Sequence, residues 1–373
     1  MLGLKKRDMY ILYVFLSIFI GVSYSMDSKC GCKSLRPCYA KMLRILLDRD
    51  EAACIEDAAI GASTVTIFLK AIKEYCSEVV NVISDDMTYE GRHLYEVIIN
   101  SNKGAPRADD DPMKPVFIIE AGQQGGTEPV GLALYVVEQL VACEEYESML
   151  QKVTWVILPC TNPDGQEYSR YSQIPWKKNL RPSEDQLSYG VDITRNFDNQ
   201  WGSCAKVESS FSPIYPGPSP ASENETIFIK SVIAKYKKEA KVYLSIRRDG
   251  HALHYPYGYT KNPPVNIHLI YKIAAEVTTR VNQRTGGVHL FVNESVFDSE
   301  SKAHCGHSVD YAYDSGISLS FEMRVFLGSD NRIMAKFQPL PRGYETSLRN
   351  GYFSGIREMY TCLTTMRKHG RMV

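Results

Sequence analysis

Residues 116–128 read Val-Phe-Ile-Ile-Glu-Ala-Gly-Gln-Gln-Gly-Gly-Thr-Glu. The strand core, Val116 to Glu120, is apolar at consecutive positions, the pattern of a strand covered on both faces rather than one with a solvated side. The glycines then break the run, and an amphipathic helix is expected from Val130 to Glu144. Working outward, the same alternation recurs. Further strands are expected at Leu94 to Ile99, Val153 to Leu158, Val242 to Ile246 and Ile317 to Met323, and further helices at Ile60 to Ser77, Ser222 to Lys237, Val265 to Arg284 and Tyr344 to Lys368. This order predicts an α/β fold, a single domain over residues 55–373 with a mixed, mostly parallel sheet covered by helices on both faces. Ser101 to Asp111 reads as a loop between adjacent strands, and Gly202 to Ser222 as a long loop rich in Ser and Pro.

The 373 residues are 44% hydrophobic and 23% charged, which excludes a disordered, fibrous or many-spanning membrane chain. Lys and Arg number 43 against 43 Asp and Glu, so no global field would collect nucleic acid or anionic lipid, and neither is expected as a partner. Lys5, Lys6 and Arg7 precede an apolar run from Met9 to Val22, with Ser23 and Ser25 in an A-x-A-like spacing. Residues 1–25 therefore read as a signal peptide and the protein as secreted and extracellular, with no membrane anchor after cleavage.

Ten cysteines in such a chain are expected to be largely oxidised, and Cys30, Cys32, Cys38 and Cys54 crowd into a short Cys-rich segment, residues 26–54. Their spacing repeats no C-x-x-C pair, so disulfide staples are preferred to a metal site. Asn224-Glu-Thr226 and Asn293-Glu-Ser295 are glycosylation sequons.

Loops at strand ends are where function is expected in such a sheet. In order they hold Ala121-Gly-Gln-Gln-Gly-Gly-Thr-Glu128, Thr161-Asn-Pro-Asp-Gly165, Trp176-Lys-Lys-Asn179, Gly190-Val-Asp-Ile-Thr-Arg-Asn-Phe-Asp198, Tyr243-Leu-Ser-Ile-Arg-Arg248, Tyr255-Pro-Tyr-Gly-Tyr259 and Leu319-Ser-Phe-Glu-Met-Arg324. At these spacings they resemble the carboxypeptidase A/B family of zinc metallocarboxypeptidases, over about Ile55 to Arg367. The resemblance implies a zinc held by two His and a Glu, a zinc-bound water, a Glu general base, an oxyanion Arg and an Asn-Arg clamp for a peptide's terminal carboxylate.

The ligand positions depart from that pattern. Gln124 and Thr127 stand at the first two and Arg247 at the third, so no zinc or other cofactor is expected, since arginine has no lone pair to give a metal. Glu322 matches the general base and is expected to pair with Arg247 instead. Lys177 stands at the oxyanion position, Arg195 keeps the clamp arginine, Thr194 replaces its Asn, and Lys302 replaces the substrate-capping Tyr. Val309 holds the specificity position and implies a preference for an apolar side chain. The resemblance further implies that the family's disulfide before Thr194 is lost, at Tyr189 and Phe211, and that no inhibitory prosegment fits between signal peptide and domain.

Two H-x-x-H pairs, His251/His254 and His304/His307, allow a rebuilt metal site, although His304 and His307 read more simply as solvent-exposed loop residues and His254 as packing beside Tyr255. The function expected is a non-catalytic relative that binds peptide or protein C-termini. The alternative is an active metallocarboxypeptidase releasing C-terminal apolar residues through an atypical metal site. In a third reading the Cys-rich segment is the functional part.

Overall fold

The computed structural model describes residues 29–52, 54–101, 114–204, 207–287, 289–326 and 343–368. The expected signal peptide and nearly all of the 101–111 loop lie outside the described residues. Eight strands form one sheet: β1 (Val80–Met87), β2 (His93–Ile99), β3 (Val116–Ala121), β4 (Thr154–Leu158), β5 (Ala240–Arg247), β6 (Ala252–Tyr255), β7 (Val292–Ser295) and β8 (Leu319–Arg324), in the order β1-β2-β4-β3-β5-β8-β6-β7. The pairs β3–β4, β3–β5, β5–β8 and β6–β7 are parallel and the pairs β1–β2, β2–β4 and β6–β8 antiparallel, the mixed, mostly parallel sheet expected.

The 101–111 loop does not join adjacent strands, which corrects the sequence reading. Ile99 pairs with Trp155, so β4 lies between β2 and β3, brought back beside β3 by the crossover helix that a parallel pair requires.

The helices are α1 (Pro37–Asp48), α2 (Ala62–Tyr75), α3 (Thr127–Ala142), α4 (Glu147–Lys152), α5 (Pro163–Ser172), α6 (Asn224–Tyr236), α7 (Ile267–Thr285), α8 (Val296–Glu300), α9 (Ser308–Asp314) and α10 (Tyr344–Lys368). Alternate residues of β3 feed two cores. Phe117 and Ile119 enter one built with α1, α2, α3, α7 and α10, while Ile118 enters a second built with α6 and α9. Both faces of β3 are thereby dry, which is why its apolar residues run consecutively.

The N-terminal segment is tied into the larger core. Pro37 opens α1 with its fixed φ, and Tyr39, Met42, Leu43 and Leu46 place one apolar stripe inward at helical spacing. Buried Glu138 of α3 accepts hydrogen bonds from Tyr39 Oη (2.8 Å) and the Ile55 amide (3.0 Å). Burial pushes the Glu138 carboxyl up to about 7 against those two donors. Disulfides Cys30–Cys54, Cys32–Cys143 and Cys38–Cys76 complete the attachment, and Cys204–Cys305 joins two loops beside the second core. Cys160 and Cys362 are free and buried.

Glu225, in the first turn of α6, is buried and shares the Asn179 amide (3.2 Å) with Glu223 (2.8 Å). Burial first, then the charge of Glu223, pushes its carboxyl from 4.5 up to about 8. Because the folded value lies above the unfolded one, this stabilising contribution is complete below about pH 4.5 and is lost as the pH rises towards 8. Glu225→Gln, which removes the charge and keeps the shape, should therefore gain stability relative to wild type as pH rises, on the order of 4 kcal/mol between pH 4.5 and 8. Melting temperatures at pH 4.5 and 8 check it, and a difference independent of pH would contradict the assignment.

Candidate functional site

The register of the central strands sets out the site. Glu120, Ser245, Glu322 and His254 are neighbours across β3, β5, β8 and β6, so their side chains project from one face in a single row. Arg247 lies two residues beyond Ser245 and therefore on that face as well, at the carboxyl end of β5. This is the strand end where an α/β sheet places its ligands.

Arg247 and Glu322 form the pair expected from sequence. Nη1 lies 3.0 Å from Glu322 Oε2, with side-chain exposures of 1% and 0%. The other two guanidinium nitrogens are also engaged. Nη2 donates to Gln123 Oε1 (3.2 Å) and Ser308 Oγ (3.0 Å), and Nε donates to Ser245 Oγ (3.2 Å).

Glu322 receives three further donors: Arg324 Nε (2.6 Å) and His254 Nδ1 (3.1 Å) on Oε1, and His307 Nε2 (2.9 Å) on Oε2. Burial pushes this carboxyl up, but the charges of Arg247 and then Arg324, with the imidazole hydrogen bonds, outweigh it and hold the group well below the usual carboxylate range. Arg324 continues the chain of alternating charge to Glu300.

A second buried carboxylate, Glu120, lies on the other side of Arg247. It accepts from Thr161 Oγ1 (2.6 Å), Gln123 Nε2 (2.7 Å), Ser245 Oγ (2.8 Å) and Tyr243 Oη (3.3 Å). Here burial wins over the hydrogen bonds and over the charge of Arg247, and the carboxyl is raised. The two carboxylates thus differ because Glu322 has cations in direct contact and Glu120 has only neutral donors.

The structure corrects several sequence expectations. His304 and His307 are buried, 3% and 0% exposed, rather than solvent-exposed loop residues. His307 Nδ1 accepts the Val309 amide (3.2 Å), so the proton sits on Nε2 and is donated to Glu322. Burial and the charge of Arg247 lower His307 to about 4, which keeps it neutral at physiological pH. His304 Nε2 donates to the Thr194 carbonyl (3.0 Å), and its Nδ1 is buried without a partner. Neither H-x-x-H pair acts as a unit. His251 turns to Tyr352 Oη and the His289 carbonyl while His254 faces Glu322; the His304 and His307 rings pack edge to face with centroids 4.7 Å apart, but His304 is bonded to the Thr194 carbonyl and His307 to Glu322.

Gln123, not Gln124, reaches Arg247; Gln124 and Thr127 are part-exposed and donate nothing to the cluster among the described residues. Thr194 is fully buried and its hydroxyl is spent on Asp192 Oδ1 (2.7 Å) rather than on the cleft. Val309 is sealed in the second core and presents no surface to solvent. Lys177 Nζ pairs with Asp249 Oδ2 at 2.8 Å, and Lys302 is exposed between α8 and α9. Arg195 lies beside the Gly306 backbone. A Cβ at Gly306 would stand 2.2 Å from the Arg195 carbonyl oxygen, and φ there is +71°, so only glycine fits. Of the sequon residues, Asn224 is exposed, and Asn293 is half-buried with its amide on Thr278 Oγ1 (3.1 Å).

Comparison with known proteins places this geometry. The family model described as zinc carboxypeptidase matches residues 65–346. Zinc carboxypeptidase A 1 of Drosophila melanogaster is 30% identical over 69% of this chain and 59% of its own length, and mast cell carboxypeptidase A of Rattus norvegicus is 29% identical over 47% and 42%. The chain thus spans about half the length of these curated relatives. Among solved structures, carboxypeptidase A from Helicoverpa armigera superposes with a TM-score of 0.73 at 22% identity, covering 88% of this chain and 80% of that one. Bovine thrombin-activatable fibrinolysis inhibitor, solved with tick carboxypeptidase inhibitor, gives a TM-score of 0.71 at 21% identity over 83% and 98%.

Proposed function

This chain belongs to the zinc carboxypeptidase family, and we propose that within it the protein is a secreted, non-catalytic member that binds peptide C-termini through Arg195. The observation that carries the reading is the Arg247–Glu322 pair. A zinc ion needs lone-pair donors, and the groups converging here are a guanidinium, a glutamine amide, two serine hydroxyls, carboxylates already engaged, and two imidazoles whose nearer nitrogens are spent as donors to Glu322, His307 having its other nitrogen on the Val309 amide. The guanidinium is itself a cation and would repel a metal at the same place. The donor set does not fit zinc.

The state of Glu322 supports the same conclusion. A carboxylate offers about four lone-pair sites, and four donors already occupy this one. No site is left to take a proton from water, and the surrounding cations hold the group in its ionised, weakly basic form. Arg195 keeps its charge in a part-buried position, which suits capture of a carboxylate without turnover.

Elemental analysis of the purified protein should show well under one zinc per chain after exposure to the metal and desalting. Arg247→His should release no C-terminal residue from peptide substrates, because it supplies one nitrogen and leaves the other donors unchanged. About one tightly held zinc per chain, or turnover by the single variant, would overturn the proposal.

A further inference from the structure

The two sequons fall in unlike places once the chain is folded. Asn293 lies in β7, paired in register with Leu253 of β6. Its side-chain amide turns in to α7, where Nδ2 donates to Thr278 Oγ1 (3.1 Å), and its Oδ1 is buried. A sugar on that nitrogen would sit between β7 and α7 and hold the strand off the helix. Asn224 opens α6 and is exposed, and its Nδ2 donates to the Met87 carbonyl (3.1 Å). A glycosylated asparagine keeps one hydrogen on that nitrogen, so a sugar and the Met87 bond are compatible.

The surface around Asn224 is apolar. Met87, Tyr89 and Ile227 are 46%, 58% and 50% exposed. Met87 takes the Asn224 hydrogen bond, Tyr89 follows it in the turn between β1 and β2, and Ile227 lies three residues along α6 on the same helix face. β1 is also an outermost strand of the sheet, with no strand on its outer side among the described residues. Exposed apolar side chains beside an open strand edge are where chains associate unless something covers them.

We infer that Asn224, and not Asn293, carries an N-linked glycan, and that this glycan covers the Met87, Tyr89 and Ile227 patch at the edge of the sheet. In the transfer, Asn224 Nδ2 displaces a lipid pyrophosphate carrier from the anomeric carbon of an activated oligosaccharide. The new C–N bond forms as the sugar–phosphate C–O bond breaks, one amide proton is released, and the carrier departs as lipid pyrophosphate. The inference rests on the reading of the chain as secreted, because the secretory route supplies that donor. Transfer precedes folding, so a chain modified at Asn293 is one that cannot complete the sheet.

The test is expression of the full-length chain in cultured animal cells, with the intact mass measured before and after enzymatic removal of N-glycans. The secreted wild type should lose the mass of one glycan, mapped by peptide analysis to Asn224. Asn224→Gln and Thr226→Ala should both emerge without a glycan, whereas Asn293→Gln should match wild type. Thr226→Ala breaks the sequon but keeps the Asn224 side chain, and the buried hydroxyl it deletes has no hydrogen-bond partner. This variant should self-associate in light scattering, and adding Ile227→Glu should restore the wild-type particle size, with melting temperatures confirming that both variants fold. A glycan at Asn293, or none on the secreted protein, overturns the inference and leaves secretion standing. A chain that stays in the cell unmodified overturns both. A glycan at Asn224 whose loss leaves the scattering unchanged, or association that Ile227→Glu does not relieve, overturns the covering role.

Discussion

Replacing Arg247 with alanine should lower folding stability by roughly 3–5 kcal/mol, measured by chemical denaturation near pH 7. Both members of the pair are shut off from water, so removing the cation leaves Glu322 charged where solvent cannot repay it. Arg324 stays 2.6 Å from the other carboxylate oxygen, and this remaining cation places the expected loss in the lower half of the range. The change also strips Ser245, Gln123 and Ser308 of a shared donor, each loss smaller than the electrostatic one. Adding Glu322→Gln should recover part of the loss, because a neutral amide needs no counter-charge. A single-variant loss below about 1 kcal/mol, or a double variant less stable than the single one by the full cost of Glu322→Gln alone, would mean the pair is not coupled.

Removing the Cys32–Cys143 disulfide by paired serine substitution should have a comparable effect, about 4 kcal/mol. It closes a separation of 111 residues against 24 for Cys30–Cys54, and on the chain-entropy account the longer loop is worth about 1 kcal/mol more. Neighbouring contacts temper the loss. Arg36 N donates to the Ala142 carbonyl (2.7 Å) and the Arg36 guanidinium pairs with Glu147 (2.6 Å), so the segment remains partly docked without the covalent link. Denaturant midpoints of the two paired variants give the order directly, and a larger loss for Cys30–Cys54 would show that native contacts, not loop length, set the stabilisation.

How much of this was legible in the sequence depended on where each signal resided. The strand at 116–120 was readable because burial on both faces leaves consecutive apolar residues, and α10 because its amphipathic period runs for 25 residues. The edge strand β1 was missed, since its second half, Ser84 to Asp86, is polar and carries no alternation. The helix α5 was missed because Pro163–Ser172 has little apolar content and depends on its Asn162 cap, whose side chain accepts the Gly165 amide.

At the site, Arg247 and Glu322 were readable because each adjoins a strong strand. Gln124 was chosen over Gln123 because the turn that carries them, not the strand period, decides which glutamine faces inward. Burial of His304 and His307 could not be foreseen from a loop rich in small and polar residues. The pairing of His254 with Glu322 depends on β6 running antiparallel to β8, and strand direction leaves no mark in local composition. One signal was available: Tyr243, Ser245 and Arg247 alternate on one strand face, which puts a polar stripe where an apolar one would ordinarily be.

The closure of the Glu322 network also constrains how the protein can change over evolutionary time. Arg247 and Arg324 each serve more than one acceptor, so a step towards a metal-binding histidine at position 247 first removes a charge that Glu322 and Glu120 both rely on. The intermediate sequence is less stable than either end point and has acquired no chemistry to set against that loss. Natural proteins hold only a few kcal/mol in reserve, so such intermediates fall near the threshold below which a chain is cleared. The interlocked side chains would therefore act as a ratchet: a path to a metal site at this place requires several coordinated replacements in a single lineage.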